Sequence, residues 1–317
     1  MARYSIRRLL EAIPSLLGVS IISFMLVHIV PGNIARILLG DKFTFARARA
    51  LDISLGLNHP LWQQYVDWLW QLLHANMGFS YTYHIPVWTL IMENLPHDLL
   101  LVGLSIILAH AFALILGTVQ AYYHDTWFDR VVTVITYFLY AMPVFWLAVL
   151  MIQWFAIDLP WFPSGGIANP LSAVPSFGDI MLHLVLPAAT LVMVSLAGWA
   201  RYMRSSMMDT MLQDFVRTAR AKGMNEARVV VVHALRNSVL PLITLLGLSI
   251  PALFTGALFI EEIFNYPGIG LLFWQAIETR DFPIILGSSM FIGALTVLGN
   301  LVADLLYALV DPRIQYG

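Results

Sequence analysis

The chain has 317 residues, of which 59% are hydrophobic and only 11% are charged. Soluble globular domains carry about 25% charged residues, so this composition lacks the polar surface that folding in water requires. The mean hydropathy of +0.77 agrees with a lipid environment. The net charge of −2 gives no basic footprint for nucleic acid. The absence of cysteine excludes disulfides, thiolate nucleophiles and cysteine-based metal sites.

Six apolar stretches are long enough to cross a membrane as helices, which takes about 20 residues each. Three arginines precede the first stretch, as in a signal peptide, but its apolar run is too long and no small-x-small cleavage site follows promptly. We therefore expect an all-α membrane protein that retains this first helix, with residues 1–8 as an amphipathic amino-terminal segment. The six predicted spans are 9–30, 99–122, 131–157, 181–199, 239–260 and 283–310.

The distribution of basic residues predicts the orientation of these spans. An even number of spans puts both termini on one side of the membrane. Lys and Arg are retained on the cytoplasmic side, and 12 of the 17 basic residues lie in four regions of one side, while the opposite loops hold five. The sequence therefore predicts cytoplasmic termini and external segments at 31–98 and 158–180. The four basic regions are the amino end, the 123–130 loop, the 200–238 loop and the tail 311–317.

The external segment 31–98 is too long for a tight turn and contains a helical apolar pattern. Its aromatic and leucine residues recur three and four positions apart, which indicates an amphipathic helix. Pro60 suits the start of this helix and Gly78 lies beyond its end. We expect a small cap on the outer face of the membrane. The patterned residues are Trp62, Tyr65, Trp68, Leu69 and Leu72.

Small residues and prolines mark the packing of the spans. The second span carries a small residue every four positions, a stripe that lets another backbone approach closely. Packing within the chain and packing against another subunit remain equal alternatives for this stripe. Prolines at 143, 187 and 251 lie in or near later spans, where they remove a hydrogen-bond donor and favour kinks. The stripe consists of Ser105, Ala109, Ala113, Gly117 and Ala121.

The motifs of several enzyme classes are absent. The sequence contains no phosphate-binding loop, no H-E-x-x-H and no G-x-S-x-G, so we expect neither ATP binding nor catalysis by this chain. An ionisable residue at mid-membrane would indicate an ion relay. Asp304 falls near the cytoplasmic end of its span, where a structural pair is the expectation. Glu261 and Glu262 fall at the outer end of the fifth span, where we expect them to be solvated.

The 200–238 loop holds seven of the 17 basic residues. Within it, the sequence predicts a short helix from Phe215 to Lys222, which ends at Gly223, a residue suited to the left-handed position after a helix. A second helical stretch follows to about Asn237. Such a hairpin is a good docking element, and we expect the small side chains of Ala219 and Ala221 to enter a partner's groove. The alternative is that the basic residues only enforce topology.

The loop resembles the EAA loop of ABC-importer permeases, in the form seen in the dipeptide, oligopeptide and nickel family. Gly223 matches the glycine of the general pattern and Ala219 its second alanine, whereas Arg217 and Thr218 replace its glutamate and first alanine. The form Val216-Arg-Thr-Ala-Arg-Ala-Lys-Gly223, followed by His233-Ala-Leu-Arg-Asn237, is typical of the peptide-permease subfamily.

Further motifs follow the family's order along nearly the whole chain. Val30-Pro-Gly-Asn33 resembles its L-P-G-D, and the long external segment after the first span is similar to that of the B-type subunit. Glu262-Ile-Phe-Asn-Tyr-Pro-Gly-Ile-Gly270 resembles its E-x-[VI]-F-x-x-P-G-x-G element, and Asp311-Pro-Arg313 resembles its end. The shared order and spacing make the resemblance specific.

The resemblance implies a type I importer permease fold with a core over 99–310. It implies a second homologous permease subunit, two cytoplasmic P-loop ATPase subunits that bind ATP and Mg²⁺, and an external substrate-binding protein, all in a prokaryotic inner membrane. No cofactor or metal is expected on this chain. The resemblance further implies that the ATPases couple to the loop helix, whose residues are Phe215, Val216, Arg217, Thr218, Ala219, Arg220, Ala221, Lys222 and Gly223.

The motif from Glu262 to Gly270, called the outer element below, is interpreted as an external gate or a contact for the binding protein. A rigid structural turn is the alternative. The residues of this element are Glu262, Phe264, Tyr266, Pro267, Gly268 and Gly270.

Peptides are the expected cargo, and nickel chelates, glutathione and sugars are the alternatives. A secondary carrier or an intramembrane hydrolase are the rival classes. The first would respond to an ion gradient when reconstituted alone, and the second would need a nucleophile or metal spacing that the sequence lacks.

Overall fold

The structured part of the chain consists of helices joined by turns. The computed structural model describes residues 2–29, 39, 43–54, 56–171, 174–249 and 257–310, and within these all side chains except those of 2–10, 12 and 302–310. This part contains no strand beyond an isolated bridge between Phe79 and Pro86. The motifs at 30–33 and 311–313, Leu55, Pro251 and the Asp304 side chain lie outside the described residues.

The helices follow one another in the order that the apolar stretches predict. Two π-helical turns, Gln153–Asp158 and Val229–Ala234, continue or join α-helices. In chain order, the α-helices are α1 (Ala2–Ile29), α2 (Phe45–Ser54), α3 (Leu61–Leu73), α4 (Val87–Tyr122), α5 (Trp127–Ala141), α6 (Val144–Ile152), α7 (Phe177–Met211), α8 (Asp214–Ala221), α9 (Glu226–Arg228), α10 (Leu235–Ser238), α11 (Leu240–Ser249), α12 (Leu258–Ile263), α13 (Ile269–Thr279) and α14 (Phe282–Val310).

Three of these helices are individually long and apolar enough to cross a membrane: α4, α7 and the Phe282–Leu301 part of α14. Two bent pairs raise the total to five within the described residues. Trp127–Ala141 and Val144–Asp158 meet at 104°, and Glu226–Ser238 and Leu240–Ser249 meet at 46°. The first helix adds a shorter apolar stretch, Ile13–Ile29. The all-α membrane architecture is therefore confirmed, and the count of six spans stays a prediction.

The chain folds into two compact units. The first comprises Met1–Leu95 with Leu272–Val297, and the second comprises Pro96–Leu271 with Leu298–Gly317. In the first unit, the predicted amphipathic helix is α3, which begins after Pro60 and packs its aromatic side on α1. The Tyr65 hydroxyl lies 2.7 Å from Ser20 Oγ, and the Tyr65 ring meets Phe24 edge to face. The expected cap helix is thus held by aromatic packing around a buried hydroxyl pair.

Asp281, also in the first unit, fixes the turn that precedes α4. The side chain is fully buried just before α14 begins, and its Oδ2 accepts hydrogen bonds from the Ser80 hydroxyl at 2.6 Å and the Thr82 N–H at 2.8 Å. The positive end of the helix dipole also stabilises a carboxylate at the start of a helix. One buried acid therefore ties this turn to the start of the last helix.

In the second unit, the stripe of small residues on α4 packs against α7. Ala109, Ala113 and Ala121 are fully buried. A Cβ added at Gly117 would lie 2.6 Å from Met203 Cβ and 2.7 Å from the Ala200 carbonyl oxygen, both on α7. Such close approach of two helices is what a small-residue stripe permits. Of the two alternatives for the stripe, packing within the chain is therefore confirmed.

The predicted third span is broken rather than continuous. Met142 ends α5, and Pro143, which lacks a backbone N–H, is the residue before α6. The two halves bend by 104°. The kink expected at Pro143 is therefore confirmed, whereas Pro187 lies inside the unbroken helix α7.

Candidate functional site

The coupling helix predicted from the inner loop is α8, one residue offset from the expected bounds. Asp214 lies in its first turn, where a carboxylate interacts favourably with the positive end of the helix dipole. Gly223 follows the helix with φ +75°, the left-handed conformation that the sequence predicts for it. The Gly223 N–H donates to the Arg220 carbonyl at 2.9 Å. This turn ends α8 and sends the chain into α9.

The two faces of α8 differ in burial. Val216 and Ala219 are buried in a cluster with Met203 and Met207 of α7. The expectation that Ala219 enters a partner's groove is therefore wrong for this residue, because its methyl group is already packed inside the chain. The exposed residues are Phe215, Arg217, Thr218, Arg220, Ala221, Lys222 and Gly223.

An ion pair closes the hairpin between α8 and α9. Arg220 Nη2 donates to Glu226 Oε1 at 2.6 Å, and its Nε lies 3.1 Å from Oε2. Both side chains are partly exposed, so this fork fixes the geometry of the hairpin more than it adds stability. The hydrogen bonds that Arg220 donates to Glu226 raise the pKa of the guanidinium, which stays charged. The second helical stretch predicted after Gly223 is confirmed as Glu226–Ser238, with a π-helical turn in its middle.

A partly buried ion pair joins α5 and α7, and no local sequence pattern predicts it. Arg204 Nε donates to Asp129 Oδ1 at 2.7 Å, and Nη2 donates to Oδ2 at 2.6 Å. The Asp129 side chain is 4% exposed. Gln120 on α4 adds an amide donor 3.2 Å from Oδ1. The pair therefore links α4, α5 and α7 at the end of the bundle that carries α8.

The outer element is buried at most of its positions. Phe264 and Tyr266 are 1% and 0% exposed, and Asn265 between them is exposed with φ +45°. The Phe264 carbonyl accepts a hydrogen bond from Gly166 N–H at 2.8 Å, which attaches the element to the 158–180 loop. Because Tyr266 is buried, a contact between its side chain and an external protein is excluded in this conformation. Asn265 is the exposed residue between the two buried aromatic rings.

Tyr266 is held from inside the chain. Its hydroxyl lies 3.4 Å from the His97 carbonyl oxygen, to which it donates. Burial raises the pKa of the Tyr266 phenol, and the nearby Asp98 and Glu261 carboxylates raise it further. The phenol therefore remains a neutral hydrogen-bond donor at any physiological pH.

Glu261 is the glutamate that organises this element. It is fully buried, so the expectation that it is solvated is wrong. Its Oε1 accepts from Ala257 N–H at 2.6 Å and its Oε2 from Leu271 N–H at 2.9 Å. Asp98, which the sequence did not single out, is also fully buried and accepts from Ile269 N–H at 2.9 Å through Oδ2. Both carboxylates therefore bind the start of α13.

Comparison with known proteins decides the family. A family model described as "Binding-protein-dependent transport system inner membrane component" matches residues 111–316. This chain belongs to that family. A second model, for the amino-terminal part of the same membrane components, matches residues 1–102. The protein is thus a multi-pass inner-membrane permease subunit of a binding-protein-dependent ABC transport system, a class that works with a substrate-binding protein and ATPase subunits.

The permease is similar to curated proteins over its full length. It is 40% identical to the oligopeptide transport system permease protein AppB of Bacillus subtilis, with 100% of both chains covered. It is 39% identical to a putative peptide permease protein of Brucella suis, with 99% of both chains covered. It is 35% identical to the di/tripeptide transport system permease protein DppB of Pseudomonas aeruginosa, covering 100% of this chain and 99% of that protein.

The family's outer motif is registered on Glu261. In E-x-[VI]-F, the glutamate stands three positions before the phenylalanine, and Phe264 places it at Glu261. The motif glutamate is therefore Glu261 and not the adjacent Glu262, to which the sequence analysis assigned it. Glu262 is half-buried.

Among the described residues, no group of three or more His, Asp or Glu side chains is arranged to hold a metal ion.

Proposed function

We propose that this permease carries di- and oligopeptides across the inner membrane, as one of two homologous subunits that form the pathway. Full-length similarity to proteins named as peptide permeases supports this cargo. Nickel chelates, glutathione or sugars would use the same machinery and differ in the binding protein. ATP and Mg²⁺ are assigned to the ATPase partners, and this chain is assigned no catalytic step.

The exposed face of α8 is proposed as the surface that receives the ATPases. It combines an exposed aromatic ring, Phe215, with basic side chains on a helix whose other face is packed on α7. A helix fixed on one face and exposed on the other moves as a body with the bundle to which it is packed. ATP binding by the partners would then stabilise one of two packings of the helices.

Uptake by the reconstituted complex tests the cargo. The two permease subunits, the ATPases and the binding protein are placed in vesicles and supplied with a panel of labelled di- to hexapeptides and with Ni²⁺. We expect ATP-dependent accumulation of peptides. Accumulation of Ni²⁺ without any peptide would overturn the cargo and keep the permease class, and uptake by this chain alone in an ion gradient would overturn both.

The orientation is tested with single cysteines, which are specific here because the chain contains none. Lys222→Cys lies after α8 and Ser164→Cys in the 158–180 loop, and both positions are exposed. In intact spheroplasts, we expect a membrane-impermeant maleimide to label Ser164→Cys, and to label Lys222→Cys only after the membrane is opened. The reverse pattern would invert the proposed topology.

The outer element is proposed to meet the binding protein through Asn265. A photoreactive reagent on Asn265→Cys is expected to crosslink to the substrate-loaded binding protein in the complex. The adjacent Tyr266→Cys is the matched control, because a side chain at this position is buried and should remain unlabelled. If Asn265→Cys forms no crosslink in any nucleotide state, the element is a structural turn only.

A further inference from the structure

Two buried carboxylates meet where the outer turn enters α13. Asp98 comes from α4 and Glu261 from α12, and both are 0% exposed. Their neighbour is Gly268, where an added Cβ would clash with Asp98 Oδ1 and with Glu261 Oε2. Since both oxygens touch the same point, the two carboxyl groups lie side by side. Gly268 is the residue that leaves room for them.

The hydrogen bonds around this pair leave one oxygen without a donor. Backbone N–H groups of Ile269, Leu271 and Ala257 donate to Asp98 Oδ2 and to both oxygens of Glu261. Asp98 Oδ1 is buried and has no hydrogen-bond partner. A buried acceptor left unpaired costs about 1–3 kcal/mol, and more when it is charged. The orphaned oxygen points to a missing hydrogen-bond donor between the two carboxyl groups.

The surrounding charges do not allow both carboxyl groups to be ionised. The start of α13 contributes about half a positive charge, which compensates one carboxylate at most. No Lys or Arg in the described part of the chain pairs with either acid. Two like charges in one buried site force one group to remain protonated.

The number of available oxygen ligands also favours a proton over a metal ion at this site. Calcium takes 6–8 oxygen ligands and magnesium about six. Here Asp98 Oδ1 and Glu261 Oε2 are the two oxygens that face each other, and Oε2 already accepts one N–H. The described residues offer no third acid or histidine in ligating position. Two oxygens in a dry site are what a single shared proton requires.

We propose that Asp98 and Glu261 form a proton-binding site, in which one proton is held between Asp98 Oδ1 and Glu261 Oε2. The neutral acid donates to the remaining carboxylate, and the pair pins α4 to the start of α13. Loss of this proton leaves two adjacent buried anions, which repel each other and weaken that attachment. The site therefore holds the outer turn in place at neutral pH and releases it at alkaline pH.

Other ionisable groups near the pair do not replace the proton. Tyr266 donates to a carbonyl oxygen, and the ring of His97 stands edge to face against it. Of the helices that pack on α12, α6 contains no ionisable side chain, and on α7 Asp179 and His183 pair with each other.

Infrared spectroscopy of the assembled complex tests the proton directly. Between about pH 6 and about pH 8 an ordinary carboxyl group is ionised, so a protonated buried acid gives a separate carbonyl band that shifts in D₂O. We expect this band in the wild type and its loss in both Asp98→Asn and Glu261→Gln, since each variant leaves one carboxylate with an amide donor. If the wild type lacks the band, or if both variants keep it, the proposal is overturned.

Transport at high pH is a second readout and rests on the proposed function as a permease. For the wild type, ATP-driven uptake at about pH 10 is expected to be at least about threefold lower than uptake at about pH 7. Asp98→Asn should flatten this dependence, because an amide does not titrate, and the exposed Asp158→Asn should behave as the wild type. Equal falls in all three would overturn the link to transport, and no uptake at any pH with the band intact would count against the permease function alone.

Discussion

Phe215→Asp is expected to reduce ATP-driven uptake at least about tenfold while the permease still inserts and assembles. The Phe215 ring is 43% exposed at the start of α8, where it borders the exposed face of the helix. If this face enters the ATPase, the aromatic ring is the anchor of the interface, and loss of such an anchor costs over 1 kcal/mol. A carboxylate in its place adds a desolvation cost. Uptake and substrate-stimulated ATPase activity of the reconstituted complex measure the effect.

Tyr123→Asp is the matched control for this prediction. It exchanges an exposed aromatic residue for the same charge in the 123–130 loop, the other loop that the basic residues assign to the inner side. Uptake by this variant should remain near that of the wild type. If Phe215→Asp keeps full ATPase stimulation, or if both variants lose it equally, α8 is not the coupling helix. Size-exclusion profiles of the purified complexes show whether each variant assembles.

The position of α8 explains how a local push would reach the spans. Val216 and Ala219 share a buried cluster with residues of α4, α7 and the Val229–Ala234 turn. Close-packed interiors have little free volume and transmit displacement instead of absorbing it. A force on the exposed face of α8 would therefore act on α7 through contacts that already exist. Such coupling would be mechanical and would require no ionisable group on the chain.

The sequence was most informative where a feature depends on neighbours in the chain. The three- and four-residue spacing around Trp68 predicted α3, and Gly223 predicted the end of α8, because helix periodicity and left-handed caps are local properties. The start of the second span was less accurate. Apolarity begins near Leu99, but α4 begins at Val87, since a helix continues beyond the lipid wherever its polar residues find partners.

The features that the sequence did not reveal depend on partners far along the chain. Asp98 binds an N–H group 171 positions away, and Arg204 binds Asp129 at a distance of 75 positions. No local pattern distinguishes such a buried acid from an exposed one, because tertiary packing decides its environment. The sequence therefore placed Arg204 among loop residues, and only the structure shows it inside α7.

Asp129→Ala is expected to lower the free energy of unfolding of the permease by about 2 kcal/mol, because it leaves the partly buried Arg204 guanidinium without its charged partner. Arg204 is 27% exposed, so water does not replace both of its bonds to Asp129. Arg204→Ala should cost less, because Asp129 still accepts from Asp125 N–H at 3.0 Å and from the Gln120 amide. Denaturant unfolding in micelles, followed by tryptophan fluorescence, gives both values.

The exposed pair between Arg217 and Asp214 provides the control for this prediction. Its atoms lie 3.7 Å apart, and both side chains are mostly exposed, so Asp214→Ala should cost less than about 1 kcal/mol, the sum of a surface pair and a helix-dipole contact. The order of effects is decisive. A loss for Asp129→Ala no larger than that for Asp214→Ala would mean that α4, α5 and α7 are held by apolar packing alone. A larger loss for Arg204→Ala than for Asp129→Ala would assign the stabilisation to packing of the arginine stem and not to its charge.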